Sequence, residues 1–474
     1  MKNTKFLFIK KSFLLIYGFF IINGLTLKAQ CWKSVTASSE FTVAIAENGT
    51  LWSWGTNLYG ELGLGYVTQF GGINTPTQIG SDSDWQYITT KGRHTLALKT
   101  NGTLWTWGSG TSGELGNGQL NEEWSPIQIG TDTDWQSFAL GTSHCLALKT
   151  NGTIWVWGSN SSGQLGIGST PNYLAIPTQL GTATNWQSIG AGGNHSLAIK
   201  TDGTLWVWGT NGWGQLGLGN YTTKYTPTKL GTATNWEKIV GLQDCSIAKK
   251  IDGTLWGWGR NASAELGDAT GTNRLTPVQI GGGTNDWQNI FCGSSFTFAI
   301  KTDGTLWGWG SNDYGQLGNG TYTFTPNLLP QQISSDTNWL QIDAGWYHST
   351  IIKSDHSLWV SGDNGQGELG LGSFTPSRVN VFTQINCPSL GFAIIEENQT
   401  EFSIYPNPTS DFIKILNPSN WTIKMVSIED FSGRNLFFTN SNFEEIDVHL
   451  LSQGVYFFNI FSDESKTTIK FIKK

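Results

Sequence analysis

Short runs of alternating apolar and small polar residues recur along most of this chain, and Gly, Asn or Asp ends nearly every run. In one stretch the runs are Trp186 to Ala191, His195 to Lys200, Leu205 to Trp208 and Thr226 to Leu230. Alternation over about four to seven residues, with a turn residue at each break, predicts antiparallel strands. Each unit of the pattern therefore supplies four short strands.

A Leu-Trp or Ile-Trp pair marks the third strand of every unit and returns every 50 to 53 residues. The pairs are Leu51-Trp52, Leu104-Trp105, Ile154-Trp155, Leu205-Trp206, Leu255-Trp256, Leu306-Trp307 and Leu358-Trp359. Seven units of four strands predict an all-β, seven-bladed β-propeller over residues 31–387. A solenoid would need capping repeats, which the sequence does not show.

Antiparallel pairing assigns the turns of each unit to the two faces of the disc. The second strand begins at a position that is often His, and the third strand ends in a Gly-rich loop. These two features fall on one face, here called the loop face. The Asp-Gly-Thr turns and the Trp that opens each first strand fall on the opposite face, here called the turn face.

The repeated strings HSLAIKTDGTLWVWGTNGWGQLGLG and HCLALKTNGTIWVWGSNSSGQLGIG resemble repeats of the regulator of chromosome condensation family. The resemblance covers about residues 32–386 and implies that family's seven-bladed propeller. Kelch propellers repeat at a similar length, but the Gly-Gln-Leu-Gly loops favour the first family. Its known eukaryotic activity, nucleotide exchange on a small nuclear GTPase, requires a partner that an exported bacterial protein would not meet.

The first 30 residues indicate a secretory signal peptide. Four Lys precede an apolar run from Phe13 to Ile22, and Ala29-Gln30 offers a cleavage site. Cys31 follows directly, so processing as a lipoprotein is an alternative. Gln30 fits that alternative poorly because lipoprotein processing prefers a small residue before the Cys. Cleavage would remove five Lys and no acidic residue, which changes the formal charge from −7 to −12. A protein this acidic is a poor candidate for binding nucleic acid. No segment after residue 30 is apolar enough to insert into a membrane.

Two of the five cysteines lie where the propeller ring must close. Superposition of the repeats puts Cys31 and Cys387 three positions apart at the junction of the last and first units. That spacing is within reach of a disulfide, and export supplies an oxidising compartment. Cys145, Cys245 and Cys292 fall within strand patterns, where small buried thiols are expected.

Residues 403–474 have few Gly and five short alternating runs, which predict a small β-sandwich after a linker at residues 388–402. The predicted strands are Phe412–Leu416, Met425–Ile428, Ile446–Leu450, Val455–Ile460 and Thr467–Ile472. This segment closely resembles the C-terminal sorting domain of type IX secretion substrates in Gram-negative bacteria. The resemblance implies passage through the periplasm to the cell surface or medium, with the secretion machinery as partner. Its motif residues are Tyr405, Pro406, Asn407, Pro408, Gly454, Tyr456, Lys470 and Lys473.

The sequence lacks the common motifs of metalloproteases, serine hydrolases, nucleotide-binding loops and dithiol redox sites, so we expect no catalytic residues and no cofactor. The recurring His position is a candidate metal or base site, but the pattern favours packing between blades because Phe and Cys also occupy it. Asp82/Asp84 and Asp132/Asp134 would suit Ca²⁺, yet solvated turns are the simpler interpretation. The Trp-x-Trp pairs are predicted to be core residues. The occupants of the His position are Phe41, His94, His144, His195, Cys245, Phe296 and His348.

Large aromatic residues in exposed loops are the best binding candidates. One loop position varies between copies, and it is aromatic at Tyr59, Trp213 and Tyr314; Trp346 and Tyr347 occupy a turn on the same face. Such residues anchor protein or glycan interfaces, although they also serve to cover Gly-rich loops. We therefore expect a secreted, non-enzymatic binding protein. The alternatives are an enzyme inhibitor, as in secreted propellers of similar repeats that inhibit β-lactamases, and a polysaccharide hydrolase.

Overall fold

The computed structural model describes residues 31–69, 71–386 and 402–473, the last with gaps at 406, 408, 418–421, 431–433, 442, 444 and 463–465. The predicted signal peptide, Cys387 and almost the whole predicted linker lie outside the described residues. The chain divides into two compact units, residues 1–388 and 389–474. No helix among the described residues has the length and apolar character needed to cross a membrane.

The first unit consists of seven four-stranded antiparallel sheets, which confirms the predicted propeller. Blades 1 to 4 contain β1 Trp32–Ala37, β2 Phe41–Ala46, β3 Leu51–Gly55, β4 Ile73–Ile79, β5 Trp85–Lys91, β6 His94–Lys99, β7 Leu104–Gly108, β8 Glu123–Ile129, β9 Trp135–Leu140, β10 His144–Lys149, β11 Ile154–Ser159, β12 Tyr173–Gln179, β13 Trp186–Ala191, β14 His195–Lys200, β15 Leu205–Gly209 and β16 Lys224–Lys229. Blades 5 to 7 contain β17 Trp236–Gly241, β18 Cys245–Lys250, β19 Leu255–Gly259, β20 Arg274–Gln279, β21 Trp287–Cys292, β22 Phe296–Lys301, β23 Leu306–Asn312, β24 Thr323–Ser334, β25 Trp339–Ala344, β26 His348–Lys353, β27 Leu358–Asp363 and β28 Arg378–Ile385, with a 3₁₀ turn at Gly281–Gly283 between blades 5 and 6.

Within each blade the four strands follow one another in order from the centre of the ring to its edge. The first strands contact each other around the central channel, whereas the fourth strands are partly exposed. In blade 4, His195 is opposite Gly209 and Trp186 is opposite Lys200. This register puts the His position beside the Gly-rich loop, as the sequence predicts.

The second Trp of each Trp-x-Trp pair forms the core, but the first Trp has a different role. Trp208 and its equivalents are fully buried, whereas Trp206 and five equivalents remain partly exposed. In blade 4 the Lys200 ammonium lies 4.8 Å from the ring of Trp186 and 4.6 Å from that of Trp206. Blades 2 to 7 all have this Trp-Lys-Trp arrangement. The prediction that both Trp are core residues is therefore wrong for the first Trp of blades 2 to 7, which holds a cation over its ring, whereas Trp52 of blade 1 is buried.

Each buried Trp also joins its blade to the preceding one. The indole Nε1 of Trp208 donates to the carbonyl oxygen of Gln164 in the loop of blade 3, at 2.9 Å. Five equivalent indoles make the same bond at 2.9–3.0 Å. A buried hydrogen bond together with the packing of a large ring stabilises every one of these interfaces.

Blade 7 has Ser361 in place of the buried Trp. Ser361 replaces the hydrogen bond of the indole, and Phe382 replaces its packing. The Ser361 hydroxyl donates to the carbonyl oxygen of Gln316 at 3.2 Å. A Cβ built on Gly318 would lie 2.5 Å from the ring of Phe382, whereas the equivalent Cβ on Gly166 meets Trp208. Phe382 thus fills the space of the indole, and it does so from a position that is Pro in the six other repeats.

Side chains of blade 7 close the ring onto blade 1. The amide of Gln341 exchanges two hydrogen bonds with the backbone of Val35, at 3.2 and 2.7 Å. The Asp343 carboxylate accepts a hydrogen bond from Ala37 N at 3.1 Å. Cys31 is buried and forms a disulfide, while Cys145, Cys245 and Cys292 are free thiols. Cys387 lies outside the described residues, so its pairing with Cys31 stays a prediction.

Replacing Cys31 by serine should lower the unfolding temperature of the mature protein, because a bridge across several hundred residues restricts the unfolded chain by roughly 4 kcal/mol or more. Peptide mapping without reduction should find Cys31 joined to Cys387. Detection of both residues as free thiols in the oxidised protein would refute the bridge.

The C-terminal unit is a small two-sheet β domain. Its strands are β29 Ser403–Tyr405, β30 Phe412–Leu416, β31 Ile423–Glu429, β32 Asn435–Thr439, β33 Ile446–Asp447, β34 Gly454–Ser462 and β35 Lys466–Lys473. Strands β29-β30-β33 form one sheet and β32-β31-β34-β35 the other. The predicted strand Ile446–Leu450 is shorter than expected because Asp447 accepts hydrogen bonds from His449 and ends it. Phe402, which the sequence assigned to the linker, is fully buried in this core.

The motif residues at the two ends of this unit meet in space. The Asn407 side chain donates to Lys470 O at 2.9 Å and accepts from Ile472 N at 3.0 Å. Gly454 pairs with Lys473, and the ring of Tyr456 stacks on Phe471 at 5.6 Å. Tyr405 is half-exposed on β29, and Pro406 and Pro408 lie outside the described residues.

Candidate binding face

A buried Glu or Gln side chain accepts a hydrogen bond from the backbone of each loop on the loop face. In blade 4 the side-chain oxygen of Gln215 accepts a hydrogen bond from Trp213 N at 2.8 Å. Equivalent bonds at 2.5–3.0 Å occur in all the other blades. The residue held in this way varies between copies, where it is Tyr, Ser, Trp or Gln. A fixed backbone therefore presents a variable side chain, which is an arrangement suited to binding.

The recurring His residues join neighbouring blades and are neutral. His144 Nε2 lies 3.0 Å from Ser196 Oγ, and that hydroxyl donates to Gln164 O at 2.7 Å. The hydroxyl must then accept the Nε2 proton. Burial lowers the pKa of His144 to about 3. Gly141 faces this imidazole so closely that an added Cβ would lie 2.2 Å from Nδ1.

The same arrangement accounts for the other histidines at this position. His195 and His348 bond to Ser246 and Thr42 of the next blade at 2.9 and 3.0 Å. His94 lies 3.3 Å from the Cys145 thiol. Each imidazole belongs to a different blade, and its Nε2 contacts a side chain of the next blade. The predicted role in blade packing fits this geometry, in which the partners are side-chain hydroxyl and thiol groups of the next blade.

Aromatic rings line up on the loop face of blades 6 and 7. Tyr314 and Tyr347 have ring centroids 4.6 Å apart, and Trp346 meets Tyr347 edge-on at 6.3 Å. The Arg378 guanidinium lies 4.3 Å from the centre of the Tyr314 ring. The Tyr322 hydroxyl donates to Arg378 O at 2.9 Å, and Tyr322 borders an open groove with Phe324. We call these six residues, Trp346, Tyr347, Tyr314, Arg378, Tyr322 and Phe324, the radial aromatic stripe.

The stripe runs outward from the central channel. Trp346 lines the mouth of the channel together with Ser38, Lys91, Gln243 and Ser294 of other blades. At the other end, Phe324 is 82% exposed and belongs to the outer strand β24. The stripe therefore spans one radius of the disc.

The remaining predicted aromatic residues lie elsewhere on the loop face. Tyr59 stacks under the Arg93 guanidinium of blade 2 at 4.2 Å. Trp213 belongs to blade 4 and is 46% exposed. The structure thus brings together Tyr314, Trp346 and Tyr347 but not Tyr59 or Trp213.

Comparison with known families identifies the fold. The RCC1-like domain matches residues 26–285, more than half of the chain. The chain belongs to the RCC1-like family. Single regulator of chromosome condensation (RCC1) repeats match residues 287–316, 303–352 and 339–368 within the same propeller. The secretion system C-terminal sorting domain matches residues 403–474.

Relatives of the RCC1-like propeller include eukaryotic proteins with several different names. The chain is 29% identical to the Ultraviolet-B receptor UVR8 of Arabidopsis thaliana over 347 residues, which is 72% of this chain and 67% of the receptor. It is 32% identical to the Regulator of chromosome condensation of Mus musculus over 123 residues, which is 24% of this chain and 29% of the mouse protein. The activities in these names belong to those proteins.

Solved structures show the same RCC1-like fold. Yeast RCC1 (Prp20), crystallised with Kap60, gives a TM-score of 0.64 at 20% identity, covering 80% of this chain and 87% of that chain. Human WBSCR16 gives a TM-score of 0.63 at 21% identity, covering 72% and 94%. With the sorting domain, the RCC1-like chain is a protein that type IX secretion machinery exports to the cell surface or beyond.

The paired aspartates of this RCC1-like propeller bind lysine. Asp82 and Asp84 lie 2.6 and 3.0 Å from Lys99 Nζ, and Asp132 and Asp134 lie 2.5 and 2.9 Å from Lys149 Nζ. The carboxylates are about half-exposed, as expected for solvated turn residues. That each pair binds a lysine ammonium was not predicted from the sequence. Among the described residues, no group of three or more His, Cys, Asp or Glu is arranged to hold a metal ion.

The three free thiols are packing residues. Cys145 and Cys245 are fully buried, and Cys292 is partly exposed. Burial raises the pKa of all three thiols, in the case of Cys292 to about 12. The reactive thiolate form is therefore suppressed.

Three members of the stripe were missed in the sequence. Tyr322 directly precedes β24 and Phe324 is its second residue; this strand has 12 residues where other fourth strands have six to eight. Arg378 opens β28. Repeat 6 has a second Pro, Pro326, ahead of the Pro330 that aligns with the other repeats, and this departure is the signal that could have drawn attention to the first two.

The buried glutamates under the RCC1-like loops should make stability depend on pH. Desolvation raises the pKa of Glu61 to about 7 and that of Glu368 to about 8. The folded protein then holds protons that the unfolded chain releases above pH 4.5, so stability falls as pH rises towards 8. At about 1.4 kcal/mol per pKa unit, each glutamate costs on the order of 3–5 kcal/mol at pH 8.

Replacing Glu61 and Glu368 by glutamine should therefore raise the unfolding temperature at pH 8 and change it little at pH 4.5. Glutamine already serves the same contact at Gln164, Gln215 and Gln316. The reverse change, Gln215→Glu, should lower the unfolding temperature at pH 8. Thermal unfolding measured across this pH range checks both; a gain that is equal at pH 4.5 and pH 8 would contradict the assigned cause.

Proposed function

We propose that this exported protein is a non-enzymatic binding protein, and that its loop face binds a macromolecule through the radial aromatic stripe. The observation that supports the proposal is the departure from the repeat in blades 6 and 7. Tyr314, Trp346 and Tyr347 occupy three neighbouring positions at which the other repeats mostly carry small or polar residues. Aromatic side chains that are partly exposed on a fixed backbone have the chemistry and low conformational cost of binding anchors.

Other features of the face support binding rather than chemistry. The buried glutamates accept hydrogen bonds from the loop backbone, the histidines are neutral contacts between blades, and the free thiols have raised pKa values. Each group has a structural role that accounts for its type and position.

Capture experiments with the mature protein test this function. The substitutions are chosen from residues that occupy the same positions in other repeats, because the fold tolerates them there. Ser is native at the equivalents of Tyr314 (Ser112), Trp346 (Ser294) and Tyr347 (Ser295). The immobilised wild-type protein should enrich a macromolecule from the surface fraction of cells or from their surroundings. The triple variant Tyr314→Ser, Trp346→Ser, Tyr347→Ser should lose it.

The matched control is the double variant Tyr59→Ser, Trp213→Ser, which removes aromatic residues from the same face outside the stripe. It should keep the captured macromolecule. Equal capture by the triple variant and the wild type would contradict the proposal, and so would turnover of the captured polymer by the pure protein.

A further inference from the structure

We infer that the turn face of blades 4 and 5 binds an acidic peptide segment of another protein. This inference goes beyond the proposed function, because the site lies on the side of the disc opposite the radial aromatic stripe. It follows from two lysine ammonium groups that lack the aspartates found in other blades, from the positive charge around them and from an exposed apolar side chain beside them.

In four blades the ammonium group of the Trp-Lys-Trp arrangement has carboxylate partners from its own chain. The partners in blades 2 and 3 are the two aspartate pairs, at 2.5–3.0 Å. In blade 6, Asp286 lies 3.1 Å from Lys301 Nζ. In blade 7, Asp336 lies 2.9 Å from Lys353 Nζ. In each case the ligand of the ammonium group is an acidic peptide segment, which precedes the first strand of the blade.

Blades 4 and 5 have the same lysines without the aspartates. In blade 4, Ala183 stands where blade 2 has Asp82. Asn185 stands where blade 2 has Asp84. Among the residues that the structure describes, no carboxylate oxygen lies within 4.0 Å of Lys200 Nζ, and the same is true of the lysine in blade 5. The equivalent residues of blade 5 are Ala233, Asn235 and Lys250.

The backbone beside these lysines is the same as in blade 2, so the carboxylates are what is missing. Thr201 N donates to Asn185 O at 2.9 Å, and the equivalent bond in blade 2 is 2.8 Å long. Lys99 of blade 2 is 7% exposed, whereas Lys200 and Lys250 are more exposed, although each still lies over two indole rings. An ammonium group that is partly removed from water gains more from a carboxylate than a fully exposed one does.

The turn face of blades 4 and 5 also carries an excess of positive charge. It has five lysines against three acidic residues, whereas the turn faces of blades 2 and 3 and of blades 6 and 7 each have two lysines against four aspartates, apart from His356, which contacts Glu47 of blade 1. Glu237 is bound to Lys249 at 2.5 Å, so two turn aspartates remain beside four lysines. The Debye length at physiological ionic strength is about 8 Å, so the acidic remainder of the protein weakens this local attraction little. The five lysines are Lys200, Lys229, Lys238, Lys249 and Lys250, and the three acidic residues are Asp202, Glu237 and Asp252.

An exposed apolar side chain next to Lys250 favours a peptide over other anionic ligands. Ile251 is 69% exposed, and the equivalent residue is Thr in blades 2, 3, 4 and 6 and Ser in blade 7. An aliphatic side chain can pack on an apolar side chain of a peptide, but it has no hydrogen bond to offer a phosphate, a sulfate or a sugar. In blade 2, moreover, one Asp-x-Asp segment places both of its carboxylates on a single ammonium group. The ligand is therefore an extended peptide with acidic residues beside an apolar one.

Fluorescence anisotropy of a labelled synthetic peptide, titrated with the mature full chain, tests the inference. The peptide carries two Asp-x-Asp pairs and a leucine between them, and the control peptide has Asn in place of every Asp. The wild-type protein should bind the acidic peptide at physiological ionic strength and should not bind the control peptide.

The double variant Ala183→Asp, Ala233→Asp should raise the dissociation constant of the acidic peptide about tenfold. It gives each ammonium group an internal carboxylate, as Asp82 and Asp132 do in blades 2 and 3. The matched control, Thr182→Asp with Thr232→Asp, adds the same charge one residue away at exposed positions. This control should raise the dissociation constant by less than about threefold, because the added carboxylates are screened by solvent and do not occupy the ammonium groups.

Two further measurements complete the test. Thermal unfolding of each variant checks that weaker binding does not come from loss of the fold. Titration of heparin and of a single-stranded oligonucleotide examines the other polyanions. The inference would be overturned if the acidic peptide did not bind, if both double variants weakened its binding equally, or if heparin or the oligonucleotide bound to these lysines and the peptide did not.

Discussion

Replacing Trp208 by alanine should destabilise the propeller by about 3–5 kcal/mol, because it removes a fully buried indole from the interface between blades 3 and 4. The loss includes the hydrogen bond from Nε1 to Gln164 O at 2.9 Å. That carbonyl keeps its bond from Ser196 Oγ, so the cost arises mainly from the cavity. Chemical denaturation of the mature protein, followed by circular dichroism, measures the change.

The matched control is Trp206→Ala, two residues away on the same strand. Trp206 is partly exposed and lies beside the Lys200 ammonium, so its removal should cost less than about half as much. Equal losses for the two variants would show that the structural roles assigned to the two Trp of each pair are wrong.

Exchanging the special residues of blade 7 should show strong coupling between Ser361 and Phe382. The single change Ser361→Trp forces an indole into the space held by the Phe382 ring and should cost about 1–3 kcal/mol through overpacking. The single change Phe382→Pro empties that space and should cost about 2–4 kcal/mol. The double variant recreates the pair found in the other six repeats and should recover much of both losses.

A double-mutant cycle measures this coupling, with an expected interaction energy of about 2 kcal/mol or more. The control cycle pairs Ser361→Trp with Pro227→Phe in blade 4, where the two sites share no contact and the losses should add. Simple additivity in blade 7 would contradict the assignment of Phe382 as the replacement for the missing indole.

The periodic part of the fold could be predicted from sequence because the same pattern of strands and turns occurs in each of the seven repeats. Seven Leu-Trp or Ile-Trp pairs fix the number of blades, and the His-to-Gly register fixes the two faces. The role of the first Trp could not be predicted, since its partial exposure depends on a Lys that ends the neighbouring strand. The compensation between Ser361 and Phe382 was also missed, because the two residues lie on different strands and meet only in the folded blade.

The sequence predicted which aromatic residues could bind a ligand, but it did not predict which of them lie next to each other. Tyr314 belongs to a loop of blade 6, and Tyr347 belongs to a turn of blade 7. Their contact arises because the ring puts the loop of one blade beside the turn of the next. Tyr59 with Arg93 shows the same geometry with different residues. Sequence position alone could not distinguish the clustered aromatics from the isolated Trp213.

Hydrogen–deuterium exchange of the mature protein, with and without the macromolecule that it captures, tests the central claim most directly. The account predicts slower exchange on binding in residues 311–324 and 345–348, on the loop face of blades 6 and 7. Exchange in the Asp-Gly-Thr turns of the turn face should not change. Protection confined to the turn face, or to the loops carrying Tyr59 and Trp213, would contradict the account.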